Sequence, residues 1–201
     1  MYVEVLHRDI QRNIEFVINQ GLLSDEGLMK YEDYNVHSIL QYCLIRINTD
    51  LCPIPEYKVK LKVPIDKLKI DDGFKERKTR YQRFIKVDVA YLKNSQIIGF
   101  GEIFTPDEIH GVLSSRDLIS PWITPRHKIE HLVKYDKPKF IIIVNVMSRL
   151  PPYKDAKRYT LDKWEEYWIE FIKNINEQKI ECLHIIIKNI ENIKYCTYIT
   201  S

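Results

Sequence analysis

Two acids on neighbouring stretches of the chain carry the chemistry most readily read from the sequence. Residues 83–92 alternate Ile85, Val87, Val89 and Tyr91 with Phe84, Lys86, Asp88, Ala90 and Leu92. Residues 96–104 alternate Ile97, Gly99, Gly101 and Ile103 with Ile98, Phe100, Glu102 and Phe104. A period of two marks strands, and the short polar link between them marks a hairpin. With a three-residue loop, Asn94-Ser95-Gln96, Lys93 pairs with Ile97 and Asp88 lies directly across from Glu102. A two-residue loop puts the two acids on opposite faces, so the three-residue loop is the expectation. Opposed side chains on one face have Cβ atoms roughly 4.5–5.5 Å apart, where two carboxylates repel. A hard divalent cation relieves that repulsion, and all-oxygen ligation suits Mg²⁺ or Mn²⁺. The same register sets Lys86 across from Phe104, one step from the acids. The alternative is an ordinary sheet face on which Lys86 pairs with an acid.

A second constellation competes. His127-Lys128-Ile129-Glu130-His131 spells H-x-x-E-H, which on a helix sets two histidines on one face with Glu130 as a general base for zinc chemistry. A third ligand has to come from downstream, and Glu181 and Glu191 are offered only by default. A polar, solvent-facing helix carrying Lys128 accounts for the same residues. Gly99-x-Gly101 has no third glycine and meets Glu102 where a pyrophosphate belongs, so these glycines read as close-approach positions. There is no Gly-x-Ser-x-Gly elbow, and the four cysteines, Cys43, Cys52, Cys182 and Cys196, form no Cys-x-x-Cys pair.

The elements that must position these residues follow from periodicity. Ile10, Ile14, Val17 and Ile18 mark a helix that Gly21 stops, and residues 36–47 a second helix with Ile39, Leu40, Leu44 and Ile47 as its stripe. Gly27 and Glu32-Asp33 read as the connection between them. Pro53 and Pro55 then force extended backbone. From Tyr57, Lys58, Lys60 and Lys62 alternate with apolar residues, a strand whose lysines guard an edge against aggregation. After the hairpin a long link, residues 105–125, precedes a helix from Thr124-Pro125 to about Tyr135. The apolar run at residues 139–146 is a strand buried on both faces. Residues 161–175 form an amphipathic helix whose Trp164, Trp168 and Phe171 stripe reads as core, with a homodimer face as its alternative. Residues 181–187 give a last strand. The order α, α, β, β-hairpin, α, β, α, β defines an α/β fold with a mixed central β-sheet flanked by helices.

Asp88 on one strand, then Gly99-Phe100-Gly101-Glu102-Ile103-Phe104 at the end of the next, then a helix and a buried strand, resembles the PD-(D/E)XK, or restriction-endonuclease-like, nuclease superfamily. The resemblance covers roughly residues 57–146. It implies a restriction-endonuclease-like core with an N-terminal helical extension: one domain over residues 1–201, with residues 1–52 the helical part and 57–188 the nuclease-like core. It also implies that Asp88 and Glu102 bind Mg²⁺ (or Mn²⁺) and that a lysine two residues after the second acid positions the attacking water. Phe104 occupies that lysine position, a clear departure. Lys86 and Lys128 are the candidate substitutes, and without either the chain would be a relative that has lost its chemistry. The implied activity is hydrolysis of phosphodiester bonds in nucleic acid, DNA ahead of RNA. A basic approach to the hairpin, Lys75, Arg77, Lys78, Arg80 and Arg83, interleaved with Tyr81, is available for phosphate contacts.

Composition limits the remaining classes. In 201 residues, 45% hydrophobic and 29% charged, there is core enough for one domain, which excludes disordered and disulfide-scaffold chains. A net charge of only +3 gives no global field for nucleic acid, so contacts to it must be local. Glu4, His7, Arg8 and Asp9 stand where the apolar region of a signal peptide belongs, and no apolar run approaches the ~20 residues of a membrane span. A cytoplasmic protein with free, mostly buried thiols and no membrane association is expected.

Overall fold

The computed structural model describes residues 2–30, 34–60, 84–104, 125–149 and 160–199. Three helices come first: α1 (Tyr2–Asn19), a short α2 (Asp25–Lys30) and α3 (Tyr34–Ile45). Strands β1 (Cys52–Lys60), β2 (Phe84–Lys93) and β3 (Gln96–Phe104) follow. Helix α4 (Pro125–His131) runs straight into a π-helical turn, Leu132–Asp136, and leads to β4 (Phe140–Val146). Helix α5 (Leu161–Asn176) and strands β5 (Glu181–Asn189) and β6 (Asn192–Tyr198) complete the chain.

The six strands form one mixed sheet in sequence order, β1-β2-β3-β4-β5-β6. β3, β4 and β5 are mutually parallel, and the hairpins at either end are antiparallel. The parallel strands need long crossovers, which α4 and α5 supply. Helices cover both faces, so β4 is buried along its whole length and reads as an apolar run interrupted only by the buried Asn145. On one face, Val3, Leu6, Ile10 and Ile14 of α1 and Leu40, Cys43 and Leu44 of α3 pack on Val89, Ile103, Ile142, Val144 and Leu183. On the other, Ile129 and Val133 of the α4 segment and Trp164, Trp168, Ile172 and Ile175 of α5 pack on Phe104, Ile141, Ile143 and Ile186. The tryptophan stripe is therefore interior.

Three expectations need correction. The hairpin loop has two residues, not three: Asn94 and Ser95 both adopt left-handed φ (51° and 63°), and Lys93 pairs with Gln96. That is the turn whose twist matches the twist of the strands. A bulge then restores the expected register, because Leu92 pairs with Ile97 but Tyr91 pairs with Gly99, leaving Ile98 as the extra residue. The second correction concerns the first strand, which begins at Cys52 and includes Pro53 and Pro55. Both prolines are tolerated because β1 is a sheet edge, where an amide on the outer side has no partner to lose. Third, β6 and α2 are additional elements that the periodicity did not announce. The lysine guard is located where an edge requires it: Lys58 and Lys60 are exposed on β1, while Lys62 lies outside the described residues.

Candidate active site

The β2–β3 ladder runs as far as Val89↔Gly101. Continuing that register sets Asp88 level with Glu102, the arrangement anticipated from the alternation. The strand pairing stops there, and a side chain takes over: the Ile103 amide donates to Asp88 Oδ2 at 2.7 Å. The other carboxylate oxygen, Oδ1, faces His37 Nε2 of α3 at 3.3 Å. Gln41, one helical turn further along α3, donates through Nε2 to the Asp88 carbonyl at 2.8 Å and to Glu56 Oε1 at 3.1 Å. Asp88 is thus pinned by a strand amide and by a helix.

Burial is the largest influence on the Asp88 carboxyl and raises its pKa. The His37 hydrogen bond, the charges of Lys128 and His37 and the Ile103 amide together outweigh it. The net shift is below the ordinary carboxylate value, so Asp88 is ionised at neutral pH.

Glu102 is fully buried. Lys128 of α4 donates from Nζ to Glu102 Oε2 at 2.5 Å, and its own side chain is 17% exposed. Because Lys128 also acts on Asp88 through its charge, one ammonium serves both acids. The helix delivers it there because Ile129 and Val133, neighbours on the same turns, are buried against the sheet.

Lys86, the other candidate, points elsewhere. It sits opposite Lys58 in the β1–β2 ladder and its ammonium pairs with Glu56. The antiparallel register carries Glu56 level with Asp88 on the far side of β2, and Glu56 has a left-handed φ of 54°. Phe104, at the position where the resemblance calls for lysine, is buried and stacks on Trp168 with ring centroids 5.3 Å apart. The basic residues Lys75, Arg77, Lys78, Arg80 and Arg83 lie outside the described residues.

The alternative zinc constellation is only partly described, since the side chain of His127 lies outside it. His131 is buried and packs against Tyr135 at 4.7 Å between centroids. Glu181 accepts the Val3 amide at the start of α1, and Glu191 is in the β5–β6 turn. Among the described residues no group of three or more His, Cys, Asp or Glu side chains is arranged to hold a metal ion.

His37, Gln41 and Glu56 escaped the sequence reading. The signal was present for two of them, because His37 and Gln41 lie at i and i+4 on one helix face. Nothing in the sequence announced that α3 would dock beside Asp88.

No family model matches the chain, no curated protein matches its sequence and no solved structure matches its fold. The two acids, the lysine and the residues that brace them therefore carry the functional argument by themselves.

Proposed function

We propose that this chain is a metal-dependent nuclease-like protein that hydrolyses phosphodiester bonds of nucleic acid, DNA in the first instance. The observation that carries the reading is the placement of Lys128 on Glu102 beside the ionised Asp88, at the point where the hairpin ladder opens. Two carboxylates fit one hard cation that keeps several of its waters, as Mg²⁺ or Mn²⁺ does, and a carboxylate oxygen engaged in one contact retains a second lone pair. When bound, such an ion stabilises charge developing on phosphate oxygens and lowers the pKa of a water.

The chain's own residues do the rest. Asp88 and Glu102 would hold the ion. The Ile103 amide and His37 keep the Asp88 carboxylate ionised and oriented. Lys128 supplies the cation that the family pattern places two residues after the second acid, and it reaches the site from a helix instead of from β3. Its ammonium pairs with Glu102 and, with an ion bound by the two acids, would be available to the phosphate or the attacking water.

The test is incubation of the whole chain with single- and double-stranded DNA in Mg²⁺, Mn²⁺ or EDTA, comparing the native protein with Asp88→Ala and Glu102→Gln. Metal-dependent cleavage that falls by about 100-fold or more in both variants is the expected result. Equal cleavage by all three proteins removes the proposal.

A second reading rests on the burial of Phe104 and on the neutralisation of Glu102 by Lys128: a catalytically inactive nuclease-fold protein that binds nucleic acid or serves in an assembly. It requires salt-sensitive DNA binding that survives Asp88→Ala and needs no divalent ion.

A further inference from the structure

The two edges of the sheet are built differently. β1 is blunted in every way open to an edge strand: Pro53 and Pro55 lack amides, Glu56 kinks the backbone with φ 54°, and Lys58 and Lys60 put charge on it. β6, at the opposite edge, has neither prolines nor a kink, and a single lysine, Lys194, in place of the β1 pair. Its seven residues, Asn192–Tyr198, include no proline, and none of them has a positive φ. Among the described residues no strand lies beyond it.

β6 is also held flat from both faces. Ile193 and Tyr195 pack on the α1 side, where His7 stacks on Tyr195 with ring centroids 5.2 Å apart. On the other side Tyr198 packs against the α5 cluster. Lys194 is the strand's only charged residue; its side chain is half exposed and its ammonium pairs with Glu165 Oε1 at 2.6 Å. Among the described residues no strand pairs with the outer backbone of this anchored strand.

We infer that β6 is a self-association edge, at which a second copy of this chain adds its own β6 antiparallel and extends the sheet across a two-fold axis. The charge pattern selects the register. An axis at Lys194 would set lysine against lysine, which disfavours it. An axis at Tyr195 sets Lys194 of one copy beside Cys196 of the other and Ile193 beside Thr197, with no like charges opposed. A two-fold contact repeats the same strand on both copies, so one unguarded edge is enough to close the dimer and leave the blunted β1 edges outermost.

The test measures the mass of the intact chain by light scattering over about 1–100 μM, together with amide hydrogen exchange at both ends of that range. The expected result is a rise from 24.1 kDa towards about twice that mass, with β6 amides gaining protection as concentration rises. Adjacent strand residues direct their amides to opposite sides, so of Cys196→Pro and Thr197→Pro one removes an outward amide. That variant should keep the native circular dichroism and remain monomeric. A monomer throughout the range overturns the inference, and so does a dimer whose protection falls outside residues 192–198. Native dimerisation by both folded proline variants also overturns it.

Discussion

Replacing Lys128 with methionine gives a direct measure of how the site is poised. Methionine keeps the length and apolar stem of lysine and takes the ammonium away from Glu102 Oε2, which is 2.5 Å from it. The Glu102 side chain is 1% exposed and that of Lys128 17%, so the pair is largely withdrawn from solvent and screening is small. Removing one partner of a buried pair costs about 3–5 kcal/mol, because the remaining charge has been desolvated without compensation. For a chain of this size, each kcal/mol moves the melting temperature by roughly 2–4 °C. The expected loss for Lys128→Met in EDTA at pH 7 is therefore about 6–20 °C, read by scanning calorimetry. Glu102→Gln in the same background should restore a large part of it, since the neutral amide is far cheaper to bury. The double-mutant cycle should show coupling of at least about 1 kcal/mol. If the two acids bind Mg²⁺ as proposed, the ion should raise the melting temperature of Lys128→Met more than that of the native chain, because it would take over their neutralisation. Additive single effects would show that the lysine and the acid are not coupled, and the site argument would lose its foundation.

Further expectations follow from other contacts. Burial pushes the His184 pKa down from 6.5 to about 3, opposed only in part by the charge of Glu165, which itself pairs with Lys188 and Lys194. Its native pKa lies below its unfolded one, so the unfolded chain binds the extra proton. The stability present above pH 6.5 is then lost as pH falls towards 3, by about 2 kcal/mol at pH 5. Replacing His184 with Gln should flatten the urea-measured stability between pH 6.5 and 5 by close to one proton, and an unchanged slope would contradict the assignment. Gly99 has the Phe140 ring where a Cβ would project, so Gly99→Ala should cost about 1–3 kcal/mol in chemical denaturation. An effect near zero would mean that the ring moves freely. The buried Tyr91 hydroxyl donates to the Leu44 carbonyl at 2.9 Å. Tyr91→Phe should lower stability by about 1–2 kcal/mol, and no change would imply that another donor serves that carbonyl.

The elements were legible wherever one face of the chain meets a core. β4 announced itself through the apolar run from Phe140 to Val144 because helices cover both of its faces, and α5 through Trp164, Trp168 and Ile175 on one stripe. β6 was illegible for the converse reason. It is an edge strand whose residues are partly exposed on both faces, so neither alternation nor an apolar run distinguishes it from a loop. The turn at Asn94-Ser95 was misread because an unbulged two-residue loop would split the two acids between faces, and the bulge at Ile98 cannot be seen without the strand pairing. The level placement of Asp88 with Glu102 was nonetheless reached, since a two-residue turn plus one bulged residue gives the same offset as a three-residue loop.

What the sequence could not show is how the acids are braced, and that bears on how the site works. Alternation within a hairpin fixes the level of two side chains, but the contacts of Asp88 come from three separate parts of the chain: Ile103 on β3, His37 on α3 and the charge of Lys128 on α4. α3 belongs to the core on one face of the sheet and α4 to the core on the other. The carboxylate at the centre of the site is thus positioned by both layers at once, and neither layer can shift against the sheet without disturbing it. Under the proposed nuclease reading, Lys128 on α4 would stand in for a lysine on β3. The sheet fixes the acids, while α4 is tied to that sheet by Ile129 and Val133 on the turns that carry Lys128. Lys128 is thereby carried to Glu102 by a helix packed on the sheet, while Phe104 packs against Trp168.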